Sequence, residues 1–229
     1  VKHVFGNVIE KIMIDKDLQK TATWVKETLK DIREGKFSMR NFIITKSLRG
    51  YYKNPTAIAH KVLADRMGER DPGNKPKAND RIPYAYIKLS DKELYDYENP
   101  YKSGARKGQP RLRDVKQGDR IEHIDFIKQN KLKIDYEFYI TNQIMKPVAQ
   151  IYSLIVEDLK GFKWKPDYYK TKYKSLLSSK TPEKARDKIT SMKFDDTCDI
   201  IFGDIIRVAK NRKTKSTEIT DFFKVTKAK

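Results

Sequence analysis

The stretch DYEFYITNQIMKPVAQIYSLIVEDL, residues 135–159, constrains this chain more than any other. Ile140, Ile144, Val148 and Ile151 recur in it at helical spacing, so one face of a helix must be buried against another layer. Pro147 stands in the middle of the run. Proline has no N–H to give and its ring presses on the preceding turn, which predicts a kink or a break into two helices. Asn142 and Gln143 lie on the same element and can be read either way. A buried helix needs a core to join, and 229 residues with 38% hydrophobic and 11% aromatic content can build one, as one large domain or two modest ones.

Other elements can be placed around that run. In DKDLQKTATWVKETLKDIREGK, Leu18, Ala22, Val25, Leu29 and Ile32 follow at steps of three and four, with Gly35 as a stop, which predicts an amphipathic helix. FIIT at 42–45 suits a short buried strand, and TAIAHKVLADRM puts Ile58, Val62 and Met67 on one helical face. ERDPGNKPKAND reads as a loop and RIPYAYIKL as a strand. Residues 97–119 mix glycine, proline and basic side chains without apolar periodicity, and predict a long exposed insertion and an internal seam. Beyond it come a short helix at IEHIDFIKQN, the apolar run, two lysine-rich helices near 167–178 and 181–191, and a last apolar element, FDDTCDIIFGDIIRVA. There is no internal repeat.

Charge narrows the function. Fifty Lys and Arg against 31 Asp and Glu leave a net charge of +19, a field that attracts polyanions, nucleic acid first among them. A merely soluble basic protein is the plainer alternative. No window approaches the ~18 consecutive apolar residues of a membrane span, and the first residues carry no signal-peptide pattern, so a soluble intracellular protein without a membrane partner is expected. The single cysteine, Cys198, excludes an internal disulfide and a multi-cysteine zinc site. His3, His60 and His123 are too far apart in sequence to form a ligand motif. Asp195, Asp196, Asp199 and Asp204 form an acidic cluster that reads more simply as surface and helix-start carboxylates than as a metal site. Residue 1 is Val rather than Met, which reads as a fragment or a processed product.

The densest chemistry lies in FIITKSLRGYYKN. A strand ending in Lys46 and Arg49, followed by Tyr51, Tyr52 and Lys53 ahead of a helix start, gathers cations and flat phenols where a sugar-phosphate backbone would fit. A solvated basic turn whose tyrosines only pack is the alternative.

The strings ITKSLRGYYKN, AHKVLADRM, NDRIPYAYI and DRIEHIDFIKQNKLKIDYEFYITNQIMKPVAQIY, in that order, resemble the carboxy-terminal part of family B DNA polymerases, especially the eukaryotic replicative and large-DNA-virus kind. The resemblance spans about residues 1–155. It implies a mainly helical α+β fold: palm-end and thumb-entry helices over 1–40, a thumb domain with a few short strands over 41–209, and a flexible tail over 210–229. It implies the thumb's work, gripping primer-template duplex for DNA replication in company with the exonuclease, fingers and palm. The family's catalytic aspartate motifs, of the kind DxxSLYPS and YGDTDS, do not occur here, so no catalytic residue, metal ligand or cofactor is assigned to this chain. The Mg²⁺ ions and the nucleotidyl transfer belong by implication to the palm. IEHIDFI carries Ile124 where the family often has proline, and the 97–119 insertion has no counterpart. Nuclear replicative relatives end in two cysteine clusters; their absence here points to a viral-type relative acting in the nucleus or at a viral replication site.

A thumb must accept every template, so it is expected to touch phosphates and the degenerate minor groove rather than read bases. The residues assigned to that contact are Lys46, Arg49, Tyr51, Lys53, His60, Lys61, Arg66 and Arg81, with Lys75 and Lys77 as looser loop contacts. In the tail, Ile219, Phe222 and Phe223 have the spacing of the peptide that plugs a PCNA-type sliding clamp, with Ser216 where glutamine is usual. The alternative for the two rings is that they fold back on their own domain. A rival for the whole chain is a stand-alone basic accessory protein that binds DNA and clamp without catalysis.

Overall fold

The structure is a computed structural model that describes residues 2–105 and 107–214. Helix α1 (Lys2–Asp15) turns at Lys16, a left-handed residue at φ 50°, into α2 (Leu18–Arg33). The Asp17 side chain accepts the Lys20 N–H at 2.9 Å to cap α2, and Gly35 at φ 72° ends it, as the periodicity predicts. Then come β1 (Ile44–Ser47), α3 (Ala59–Arg70), β2 (Arg81–Tyr86), the single turn α4 (Asp91–Leu94), a ribbon of β3 (Tyr95–Asp96) and β4 (Arg111–Leu112), β5 (Ile121–His123) and α5 (Ile124–Gln129). The chain closes with α6 (Tyr136–Phe138), α7 (Met145–Tyr152), α8 (Tyr168–Leu177) and α9 (Pro182–Thr214). The class is mainly helical α+β, as expected.

Two compact units divide these elements: residues up to Lys36 together with those from Tyr136 onward, and Phe37–Asp135. Residues 41–209, read from the sequence as one domain, are therefore shared between both. The seam expected at 97–119 lies inside the second unit. Its ends are tied together there, because Tyr95 and Asp96 pair with Leu112 and Arg111 and the Arg113 N–H donates to the Leu94 carbonyl at 2.9 Å.

In the helical unit Pro147 neither breaks nor ends the run. The six residues Tyr139–Ile144 widen into a π-helix, and the Met145 N–H reaches back five residues to Ile140 O, so the helical path continues through the proline. The Asn142 amide donates to the Phe138 carbonyl at 3.2 Å and the Thr141 hydroxyl to the Glu137 carbonyl at 2.8 Å, answering backbone acceptors along the widened turn. Ile140, Ile144 and Val148 are buried as predicted, but Tyr152 continues the buried row and Ile151 is only half-buried. Helix α7 packs on α1 and α9, and α9 packs on α2 and α8. One 33-residue helix, α9, replaces the separate lysine-rich and apolar elements expected after residue 181, since no proline interrupts it. Cys198 lies buried in it with Ile201, Phe202 and Ile205, and burial, with Asp195 and Asp199 nearby, pushes its thiol up to about 11.

The second unit is built on an antiparallel sheet in the order β1-β2-β5, with Ile44 opposite Tyr84, Ser47 opposite Arg81 and Tyr84 opposite His123. β5 takes the first residues of IEHIDFIKQN, read from the sequence as helix throughout; the helix begins only at Ile124. Leu63, Ala64, Ile82, Ala85, Ile121 and Ile127 are buried here, with α3 packed on β2 and β5. Gly118 sits under α3. A Cβ there would stand 2.7 Å from Val62 Cβ.

Among the described residues no helix is long and apolar enough to cross a membrane. Gly118→Ala is expected to destabilise the second unit by about 1–3 kcal/mol, since the methyl meets a branched side chain in a packed contact. Val62→Ala in the same chain should restore most of the loss, measured by chemical denaturation. Equal stability of Gly118→Ala and the parent would show that the contact is loose.

Candidate nucleic-acid interface

All ten residues assigned to backbone contact fall in the second unit. The sheet register decides which of them meet. Lys46 stands opposite Ile82 and Ser47 opposite Arg81, and the pairing runs on past the strands, with the Leu48 N–H on Asp80 O and the Asn79 N–H on Leu48 O, both at 2.9 Å. This brings the start of the 49–53 turn and the end of the 75–81 loop to one end of the sheet. Lys46, Arg49 and Arg81 gather there, exposed, and Lys77 lies in the adjoining loop, its N–H accepted by the Asp80 carboxylate at 2.7 Å.

Tyr52 ties this end to α3. Its hydroxyl accepts the Arg49 N–H at 2.8 Å and lies 3.1 Å from His60 Nε2, and its ring meets the imidazole edge-on at 5.9 Å. The tyrosine thus fixes the backbone that carries Arg49 and the ring that opens α3. Burial, and then repulsion from Lys46 and Arg49, hold His60 below the usual imidazole range. Two cations press on His60. Among the described residues no carboxylate makes an ion pair with Lys46, Arg49 or Arg81. Tyr51 is 80% exposed and Lys53 is exposed beside it.

Three of the assigned residues do other work. Lys61 makes a short ion pair with Asp65 one helical turn on, and Lys75 reaches the same carboxylate at 3.4 Å. Although partial burial works against its charge, Asp65 is held below the ordinary carboxylate range by these two lysines. The stem of Lys75 also lies against Gly68. Arg66 points inward: its guanidinium donates to the carbonyls of Gly118 and Ile121 and pairs with Glu122 at 3.4 Å. Arg70 joins it, 2.9 Å from the Glu122 carboxylate and 3.7 Å above the Phe126 ring. The Glu122 side chain is only 4% exposed, so this is an internal brace.

The sequence reading missed Tyr52 as an organiser, because two adjacent tyrosines do not say which one turns inward. It also missed Asp65 as the partner of Lys61, although the i, i+4 spacing was there to read. Ser216, Ile219, Phe222 and Phe223 lie outside the described residues.

Two of the acidic residues of α9 have partners of their own. The Asp196 carboxylate accepts from Trp164 Nε1 at 3.0 Å and from the Tyr169 hydroxyl at 2.6 Å, and Asp204 pairs with Arg207 at 3.3 Å. Among the described residues no group of three or more His, Cys, Asp or Glu side chains is placed to hold a metal ion.

What this arrangement offers is an exposed basic end of a sheet, held in register by a tyrosine and a brace, with no cluster of carboxylates for metal-assisted chemistry. Comparison with known proteins agrees with the motifs. The model of DNA polymerase family B matches residues 1–155. A DNA polymerase of Pyramimonas orientalis virus is 39% identical over 228 residues, 99% of this chain and 17% of that protein. One of Acanthamoeba polyphaga mimivirus is 42% identical over 157 residues, 69% of this chain and 8% of that protein. The DNA polymerase delta catalytic subunit of Caenorhabditis elegans is 31% identical over 159 residues, 69% of this chain and 13% of that protein. The chain thus spans less than a fifth of the length of each polymerase it matches. With motifs, order and spacing in agreement over more than half its length, this chain belongs to DNA polymerase family B.

Proposed function

We propose that this chain is the thumb region of a replicative, viral-type DNA polymerase and that it grips primer-template duplex through the sugar-phosphate backbone. The observation that carries this reading is the crowding of Lys46, Arg49 and His60 at one end of the sheet, where no acid among the described residues answers the two cations. Like charges held together cost energy in the free protein and are relieved when phosphate arrives. Arg81, Lys77, Tyr51 and Lys53 extend the same surface. Lys61 and Lys75 contribute less, since they share the Asp65 carboxylate, and Arg66 shapes the surface from within. Nothing here distinguishes one base from another, which suits a grip that must accept any sequence.

Nucleotidyl transfer, with its Mg²⁺ ions, is assigned to the rest of the polymerase. Among the described residues no group of three or more His, Cys, Asp or Glu is placed to hold a metal ion, and no catalytic step is routed through them. Docking of a PCNA-type clamp is assigned to Ser216, Ile219, Phe222 and Phe223, and the place of work to the nucleus or a viral replication site. The relatives' names support the polymerase itself, and the residue pattern of the tail supports the clamp.

Duplex affinity should fall on the order of 10³-fold or more between 50 and 200 mM salt if six or more phosphates are held. Lys46→Ala with Arg49→Ala should lower the slope of log K against log salt by about 2, while Lys61→Ala with Lys75→Ala should change it far less. A flat salt response, or equal effects of the two pairs, counts against the surface described.

Binding should also depend on pH through His60. Phosphate stabilises the imidazolium, so the bound pKa lies above the depressed free one and the complex holds more protons in between. Affinity should therefore rise as pH falls from 8 to 6, and the rise should shrink in His60→Gln. An unchanged pH profile in that variant would remove His60 from the contact. For the tail, Phe222→Ala with Phe223→Ala should abolish clamp binding in calorimetry and leave duplex affinity nearly intact; unchanged clamp affinity would return both rings to a packing role.

A further inference from the structure

The segment between α7 and α8, with the face of α9 that it meets, carries an aromatic cluster of a different kind, in the helical unit and beyond the family-matched residues 1–155. Tyr169 is 2% exposed and does the packing: its ring lies 5.7 Å from Phe162, its hydroxyl bonds Asp196 at 2.6 Å, and Lys193 sits 4.8 Å from its centroid. Trp164 behaves otherwise. It stacks flat on Tyr168, with centroids 4.5 Å apart and planes within 7°, and its Nε1–H is held by Asp196 at 3.0 Å. Yet it remains 43% exposed. With one face on Tyr168 and its polar edge on Asp196, that exposure falls on the opposite face and the outer edge. Pro166 and a left-handed Asp167 at φ 63° set the turn that brings Tyr168 beneath the indole.

Such a side chain is a poor core element and a ready stacking platform. Its orientation is fixed before any ligand arrives, so little freedom is lost on binding. Lys163 and Lys165 flank it in sequence and, like Lys172 and Lys174 on α8, are exposed; Lys172 lies 6.0 Å from the Tyr168 centroid. A flat apolar face in a segment rich in exposed lysines matches a flat base on a phosphate chain. A base inside a duplex already has both faces covered, so only an unpaired one can use it.

We propose that Trp164, pre-stacked on Tyr168 in a lysine-rich segment, is a second nucleic-acid site that takes an unpaired base of single-stranded DNA. The site uses other residues, another unit and another form of DNA than the duplex surface, and stands or falls separately from it.

The test uses the full chain with Trp24→Phe, which leaves Trp164 as the sole indole. Oligo-dT should quench the Trp164 fluorescence, and an abasic strand of the same length should bind about 5- to 100-fold more weakly. Trp164→Ala should weaken oligo-dT by a similar factor and leave blunt duplex affinity unchanged, whereas Trp164→Phe, which keeps a flat ring, should retain most of the binding. The dT and abasic strands are also compared on the unsubstituted chain, which makes that result independent of whether any variant folds. Equal affinity for dT and abasic strands, or an unquenched indole on saturation, overturns the site.

Discussion

The buried carboxylate of Glu122 governs the second unit. Removing one negative charge from water costs several kcal/mol unless it is paired, and here two arginines from successive turns of α3 converge on it. That pairing fastens α3 to β5, while Arg66 also holds the Gly118 and Ile121 carbonyls of the chain entering the strand. Because α3 carries His60 in its first turn, the brace also sets where the imidazole meets Tyr52 and the end of β1. An element that looks like a source of free cations therefore spends two of its arginines on its own position.

From that follows a division of labour among basic residues. A net charge of +19 says only that polyanions are attracted. Which cations remain available depends on the carboxylates near them: Asp65 pairs with Lys61 and Lys75, Glu122 holds Arg66 and Arg70, and Lys46 and Arg49 are left to press on His60. In the helical unit the same sorting separates Tyr169, sunk into the packing, from Trp164, fixed in orientation but open to solvent.

Much of the fold was legible in the residues. The apolar steps of α2 with its Gly35 stop, and the places of the α3 helix and the β2 strand, are local properties, set by close neighbours, and they appear where the sequence puts them, although the buried side of α3 is Leu63, Ala64 and Gly68 rather than Ile58, Val62 and Met67. Misreadings came where the outcome depended on distant chain. Pro147 ruled out an ordinary α-turn without saying how the helix would relieve the strain, and the buried row runs on through Tyr152 rather than Ile151. IEHI became a strand because β2 was there to pair with it. The 97–119 segment closed on itself and returned to the same unit, although its composition reads as a boundary.

Alone, the sequence determined the class, the helix and strand periods, the family motifs and the excess of positive charge, since each is written in residue types at short spacing. Only the tertiary structure decided that the unit boundaries lie at 36/37 and 135/136, that Tyr52 rather than Tyr51 turns inward, and that Arg66 serves the interior while Lys46 and Arg49 stay outside. The reason is electrostatic and steric. A charge has a role only relative to the counter-charges and surfaces the fold brings beside it, and those come from residues distant in sequence, as Glu122 is from Arg66 and Arg70.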